Sequence, residues 1–216
     1  MFNYPYFTSN NFRNPEETSY IRIFHASPNA PAVDVYLNNK IVARNLKYKE
    51  FTEYLKVTPN NYNIKVYPTG NSTTPIINTS LSIGKNQILT AAAIGLLDNI
   101  SIKVIEDPPM PIEQGSAMLR IAHLSPDAPI INASLANGSI KFDNVDYTKV
   151  TDYQKINPGL YTMEAEAAST GDLILMVPNI LLKPNNFYTI YIIGLSSGSP
   201  SLQVVIPLDG NSYIKF

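Results

Sequence analysis

At 216 residues, with 44% hydrophobic and 15% charged side chains, the chain is globular and long enough for one large domain or two of about 100 residues. The 16 basic and 17 acidic side chains leave a net charge of −1 with no long run of either sign, which excludes a nucleic-acid or anionic-membrane partner held by bulk electrostatics. Cysteine is absent, which excludes disulfides, thiolate nucleophiles and sulfur-ligated metals.

The chain opens with MFNYPYFTSNNFRNPEE, which has neither a basic n-region nor a continuous apolar stretch, so no signal peptide is visible in it. This segment is too short and too rich in Asn to make a core. Residues 1–18 are therefore expected to form an arm that either stays disordered or docks through Tyr4, Tyr6, Phe7 and Phe12, for instance by adding a strand to a neighbour's sheet edge. No run of about 18 apolar residues occurs, so no transmembrane helix is expected.

A strand is predicted over residues 20–26, with His25 on the face of Ile21 and Ile23. It leads into HASPNAP, residues 25–31, which returns as HLSPDAP at residues 123–129. Residues 22–31 lie over residues 120–129, each stretch opening on an Arg-Ile pair. YKEFTEYLKVTPNNYNI lies over YTKVTDYQKINPGLYTM, and LSIGKNQILTAAAIGL over ILLKPNNFYTIYIIGL. Three blocks in the same order, spaced by the length of a domain, indicate an internal duplication.

Each copy reads as β-structure. Tyr62, Ile64 and Val66 alternate with more polar neighbours, as do Tyr161, Met163 and Ala165, so each strand has one face inward and one in water. Turn chemistry such as TPNN and NPGL recurs every 8 to 12 residues, giving roughly seven or eight strands per copy. Pro108, Pro109 and Pro111 mark a stiff linker that limits the angle between the halves without fixing it. The closing residues 213–216 are expected to complete the last sheet. The chain is thus expected to be all-β, with two tandem immunoglobulin-like β-sandwich domains related by internal duplication: an arm (1–18), a first domain (19–107), a Pro-rich linker (108–115) and a second domain (116–216).

The two histidines are the obvious reactive candidates. A catalytic arrangement would use His25 as base for Ser27 with Asp34 orienting it. Against this, residues two apart on a strand stand nearly 7 Å apart, Ser27 precedes a turn-fixing proline, and the second copy has Asn132 in place of Asp34. A metal would need three or four ligands, more than each copy offers. The expected role is structural: the Ser-Pro-x-Ala-Pro loop lacks two N–H groups, and His25, Ser27 and Asp34, with His123, Ser125 and Asn132, brace it. Glu164 and Glu166 are expected on a solvated strand face, and Gly70-Asn71-Ser72 and Ser197-Gly198-Ser199 as plain loops. No catalytic residue, cofactor or metal is expected.

R-I-x-H-x-S-P-x-A-P followed by V-D-V-Y (residues 33–36), then P-x-x-Y, then K-N-x-I-L-T-A or N-N-F-Y-T-I-Y-I-I-G, resembles the bacterial family catalogued as domain of unknown function 4397. The likeness covers roughly residues 19–107 and 116–209 and departs from the pattern at residues 130–134, where the acidic residue is lost. It implies β-sandwich domains of bacterial cell-envelope or secreted proteins, commonly in tandem, with no established activity. The combined expectation is a non-enzymatic structural or assembly protein of a bacterial cell or spore surface, or extracellular, polymerising through its arm. Self-association or contact with other surface proteins is expected. The alternative is an adhesion or binding module that recognises glycan or peptide through exposed aromatic and Asn side chains.

Overall fold

The computed structural model describes residues 17–135 and 139–216. Their strands fall into two sets of eight. The first comprises β1 (Ser19–His25), β2 (Val33–Leu37), β3 (Lys40–Leu46), β4 (Leu55–Val57), β5 (Asn60–Pro68), β6 (Ile77–Ile83), β7 (Ile88–Ile94) and β8 (Ser101–Glu106). The second comprises β9 (Ala117–His123), β10 (Ile131–Leu135), β11 (Ile140–Val145), β12 (Gln154–Ile156), β13 (Gly159–Ala167), β14 (Leu173–Leu182), β15 (Phe187–Ile193) and β16 (Gln203–Val205).

Each set builds a two-sheet sandwich. The orders are β4-β1-β7-β8 over β3-β2-β5-β6 in the first unit, and β12-β9-β15-β16 over β11-β10-β13-β14 in the second. The first strand of each unit runs parallel to the seventh, with Arg22 opposite Thr90 and Arg120 opposite Thr189. The molecule is therefore all-β, two tandem β-sandwiches with the same strand order.

Local sequence explains the strands. On β5 the buried Ile64 and Val66 alternate with more exposed residues, and on β13 Met163, Ala165 and Ala167 do the same. Between β2 and β3 the tight turn needs two consecutive positive φ values, and Asn38 (47°) and Asn39 (64°) supply them, as Asn tolerates that region better than most residues.

Three apolar clusters sit between four sheets. Ile21, Ile23, Val35, Ile64 and Ala91 fill the first sandwich, and Leu119, Ile121, Ala133, Met163 and Ile190 fill the second. The third lies between the units, where Phe24, Ala92, Ile94, Ala122, Leu124 and Tyr191 from the two inner sheets meet. Phe24 stacks on Phe51 with centroids 3.9 Å apart, and Tyr191 meets both edge-on at 5.1 and 5.6 Å. The units thus form one four-layer stack, and β7, β9 and β15 are buried along their whole length because each face meets a core.

The angle between the halves, which the linker leaves open, is held by the apolar cluster between the inner sheets. One expectation is corrected here. Residues 213–216 do not extend a sheet of the second unit. The chain turns at Gly210–Ser212 and crosses to the first unit, where Tyr213 packs on Tyr54 (6.2 Å) and Phe216 on Tyr20 (5.9 Å).

Truncating an aromatic ring in the inter-unit cluster should cost as much as truncating one inside a sandwich. Phe24→Ala is expected to lower unfolding free energy by about 3–5 kcal/mol, read from the urea midpoint.

Candidate functional site

Both histidines end the first strand of their unit with the ring turned inward, and both are fully buried. His25 Nε2 lies 2.9 Å from the Pro31 carbonyl oxygen, and His123 Nε2 lies 3.1 Å from that of Pro129. A carbonyl only accepts, so each ring carries its proton on Nε2 and donates it across the Ser-Pro-x-Ala-Pro loop. In the second copy Nδ1 accepts the Ser125 N–H at 3.3 Å. Burial holds both imidazoles below their ordinary pKa, only partly offset by the carbonyl contacts, and so keeps them neutral.

The serines point elsewhere. Ser27 Oγ donates to the Gly95 carbonyl at 2.6 Å, and Ser125 Oγ to that of Gly194 at 2.7 Å. Those glycines have φ of 87° and 91°, and a Cβ would fall 2.8 Å from the Asn99 carbonyl oxygen and 2.2 Å from that of Ser201. The loop's variable residue ties down the segment after the seventh strand: Asn29 Oδ1 accepts the Leu97 N–H (2.8 Å), and Asp127 accepts the N–H groups of Ser196 (2.8 Å) and Ser197 (3.2 Å). Histidine and serine therefore share a corner without a nucleophile–base hydrogen bond between them.

Asp34 and Asn132 do not join that corner, which corrects their expected place. Asp34 Oδ1 accepts the Asn45 N–H at 2.8 Å, and Asn132 Oδ1 accepts the Asn144 N–H at 2.9 Å. Asn45 and Asn144 have φ of 50° and 52° and lie beside register shifts in the β2/β3 and β10/β11 pairings. Either side chain offers the required acceptor oxygen, which is why the second copy does without the carboxylate. Glu164 and Glu166 lie on the outer, more exposed side of β13. Tyr4, Tyr6, Phe7 and Phe12 lie outside the described residues.

The largest concentration of buried charge was assigned no role from sequence. Arg22 points away from its own core toward the other unit. Its Nε donates to Thr90 Oγ1 (2.8 Å), Nη1 to the Leu208 carbonyl (3.0 Å), and Nη2 to Asp209 Oδ1 (3.2 Å) and Tyr191 Oη (3.4 Å). Arg120 mirrors this with Nε to Thr189 Oγ1 (2.8 Å), Nη1 to the Glu106 carbonyl (2.7 Å) and Nη2 to Asp107 Oδ1 (2.6 Å). Each arginine therefore grips the carboxylate that ends the opposite unit.

The second oxygens are also used. Asp107 Oδ2 accepts Tyr54 Oη (2.6 Å) and the Gly210 N–H (2.9 Å), and Asp209 Oδ2 accepts Tyr153 Oη (2.7 Å) and Thr189 Oγ1 (2.6 Å). The Arg22 guanidinium lies over the rings of Phe51 and Tyr54 at 4.8 and 4.7 Å, and that of Arg120 over Tyr153 at 4.4 Å. Burial works against both guanidinium charges, yet the facing tyrosines and carboxylates outweigh it and hold both pKa values above the ordinary one. Burial and the neighbouring Asp107 push the Asp209 carboxyl above the usual range.

Open clefts also occur where the edges of the two sheets part. In the first unit a 630 Å³ cleft between β3 and β4 is lined by Leu37, Ile41, Val57 and Tyr62 among others, and a 270 Å³ counterpart in the second includes Ile140, Ile156 and Tyr161. Among the described residues no group of three or more His, Cys, Asp or Glu is placed to hold a metal ion, and no helix is long and apolar enough to cross a membrane.

The model of a family described as a domain of unknown function (DUF4397) matches residues 19–134, which takes in the whole first unit, the linker and the second unit through most of β10. No curated protein matches the chain. Among solved structures, the Bacillus anthracis TIE protein is similar at 14% identity and a TM-score of 0.27 over 86% of this chain; the match takes in 34% of that protein, so the chain spans about a third of its length. The family CBM26 module CBMbc of Eubacterium rectale Amy13K, solved with maltoheptaose, has 10% identity and a TM-score of 0.29 over 90% of this chain and 99% of that one. A streptococcal virulence factor that binds alpha-glucan has 14% identity and a TM-score of 0.27 over 92% and 100%. Likeness at this level says nothing of what this chain binds.

The corner and the ion pairs make separate predictions. His25→Ala or His123→Ala leaves a proline carbonyl unpaired beside a cavity and should cost about 2–4 kcal/mol. Because the folded-state pKa of each ring lies below the ordinary 6.5, the imidazole's contribution is present above pH 6.5 and lost as pH falls below it, when the unfolded chain takes up the proton first. The gap between the parent chain and His25→Ala should therefore narrow on acidification, measured by urea unfolding at a series of pH values. Arg22→Met strands a buried carboxylate and should cost about 3–5 kcal/mol, of which Arg22→Met with Asp209→Asn should recover part.

Proposed function

The chain belongs to the DUF4397 family, and from that premise we propose that it is a non-enzymatic structural subunit of a bacterial cell or spore surface, a preassembled rigid block made to be joined to others. The observation that carries this reading is where its reactive-looking groups are spent. His25 and His123 hold loops, Ser27 and Ser125 hold backbone carbonyls, and Arg22, Arg120, Asp107 and Asp209 hold one unit to the other. The duplicated motif supplies mechanical stiffness, which leaves the outer sheets for contacts with partners.

A second reading is favoured by the clefts between the sheet edges. An apolar floor with Tyr62 in one unit and Tyr161 in the other, rimmed by polar side chains such as Asn38 and Asn157, suits a sugar ring or an extended peptide. In this role the block would be an adhesion or binding module.

Electron micrographs and light scattering of purified chain separate the two. The structural reading expects assemblies much larger than one copy, and removal of residues 1–18 reports how much of the joining belongs to the arm. A chain that stays monomeric yet retains a glycan or peptide on an array supports the second reading and contradicts the first.

A further inference from the structure

The outermost sheets of the stack differ in a way the duplication does not require. On the outer side of β5 and β6, Asn61 pairs with Ser82 and Lys65 with Asn78. At the matching places in the second unit, Leu160 pairs with Leu181 and Glu164 with Met176; beyond them on the same side Glu166 pairs with Leu173. Leu160, Leu173, Met176 and Leu181 are 64%, 52%, 52% and 59% exposed. Where the first unit has Asn61, Ser82 and Asn78 the second has Leu160, Leu181 and Met176, so the sandwich itself does not need apolar side chains at those three places. Four large apolar side chains gathered on one hairpin face mark a contact surface.

Charge decides what covers it. The apolar face carries Glu164 and Glu166, while Lys141 and Asp143 of β11 offset each other at its far edge. The first unit's outer sheet presents Lys65 opposite Tyr36 of β2 and two residues before Tyr67 of β5; the two tyrosine rings meet edge-on at 5.5 Å, and exposed Arg44 lies on neighbouring β3. Asp34, on the same sheet, accepts from Asn45 and Thr69, so this face sets two cations, Lys65 and Arg44, against one carboxylate and is basic on balance. Two apolar faces meeting each other would bring like charges together, whereas the basic, tyrosine-bearing face matches the acidic, leucine-bearing one.

We propose that the partner is a second copy of this chain, seated head to tail, with the Tyr36–Lys65–Tyr67 face of one molecule on the Leu160–Glu164–Met176–Leu181 face of the next. This rests on the structural reading above. The two faces cap opposite ends of the four-layer stack, so the contact does not close on itself and the stack continues as an open row of sheets.

Sedimentation of the full chain over a range of concentrations, combined with charge reversal, tests this. The parent chain is expected to associate. Glu164→Lys with Glu166→Lys should weaken association roughly tenfold or more, Lys65→Glu alone should weaken it, and combining all three changes should restore it. Leu160→Asp with Leu181→Asp should weaken it while leaving the urea midpoint of these exposed positions nearly unchanged. Association insensitive to these changes, or lost with the leucines but indifferent to Lys65, overturns the head-to-tail contact and leaves the structural reading standing. A parent chain that is monomeric at every concentration overturns both.

Discussion

The crossed ion pairs between the units set the form of the whole molecule. Taking two guanidinium groups and two carboxylates out of water costs several kcal/mol per ion, and the arrangement is tolerable only because each charge is met by its opposite and the remaining polar atoms are bonded. Nε, Nη1 and Nη2 of both arginines donate, each to an oxygen of fixed position, and each carboxylate receives further bonds from Tyr and Thr hydroxyls or a backbone N–H. Because Arg22 pairs with the end of the second unit and Arg120 with the end of the first, neither half is electrostatically complete without the other.

The duplicated R-I-x-H motif follows from this geometry. On a strand buried on both sides, alternate residues serve different cores. Arg22 and Phe24 face the other unit, while Ile23 and His25 face the sandwich interior, and Arg120, Ala122, Ile121 and His123 divide in the same way. One four-residue stretch thus fixes both the loop at the strand's end and the contact between the units. With both faces of each inner sheet occupied, the broad sheet faces left open to partners among the described residues are those of the two outer sheets.

Much of the fold was legible. Alternation in β5 and β13, turn residues at regular intervals and three repeated blocks indicate two β-sandwiches, and the missing N–H groups of the proline loop point to its histidine. The packing of the units was legible only in part. ILTAAAI and FYTIYII are uninterrupted apolar runs, the pattern of strands covered on both sides, and this was the available signal that the inner sheets meet. The ion pairs were hidden for a physical reason. An arginine in a strand is ordinarily at the surface, its carboxylate lies far along the chain, and a duplication suggests the same partner within each copy, whereas here the partners are exchanged. Asp34 was expected among the braces of the histidine loop, whereas its acceptor oxygen serves the backbone N–H of Asn45.

The proposed structural role rests on a rigid two-unit block, in which force on one outer sheet would pass through packed layers to the other. That view stands or falls on the units behaving as one. Native-state amide hydrogen exchange reads it most directly: the amides of β1, β7, β9 and β15 should all exchange at a single free energy equal to that of global unfolding. Exchange of β9 and β15 at a distinctly lower free energy than β1 and β7, or the reverse, would show one unit opening while the other stays closed and would contradict the account.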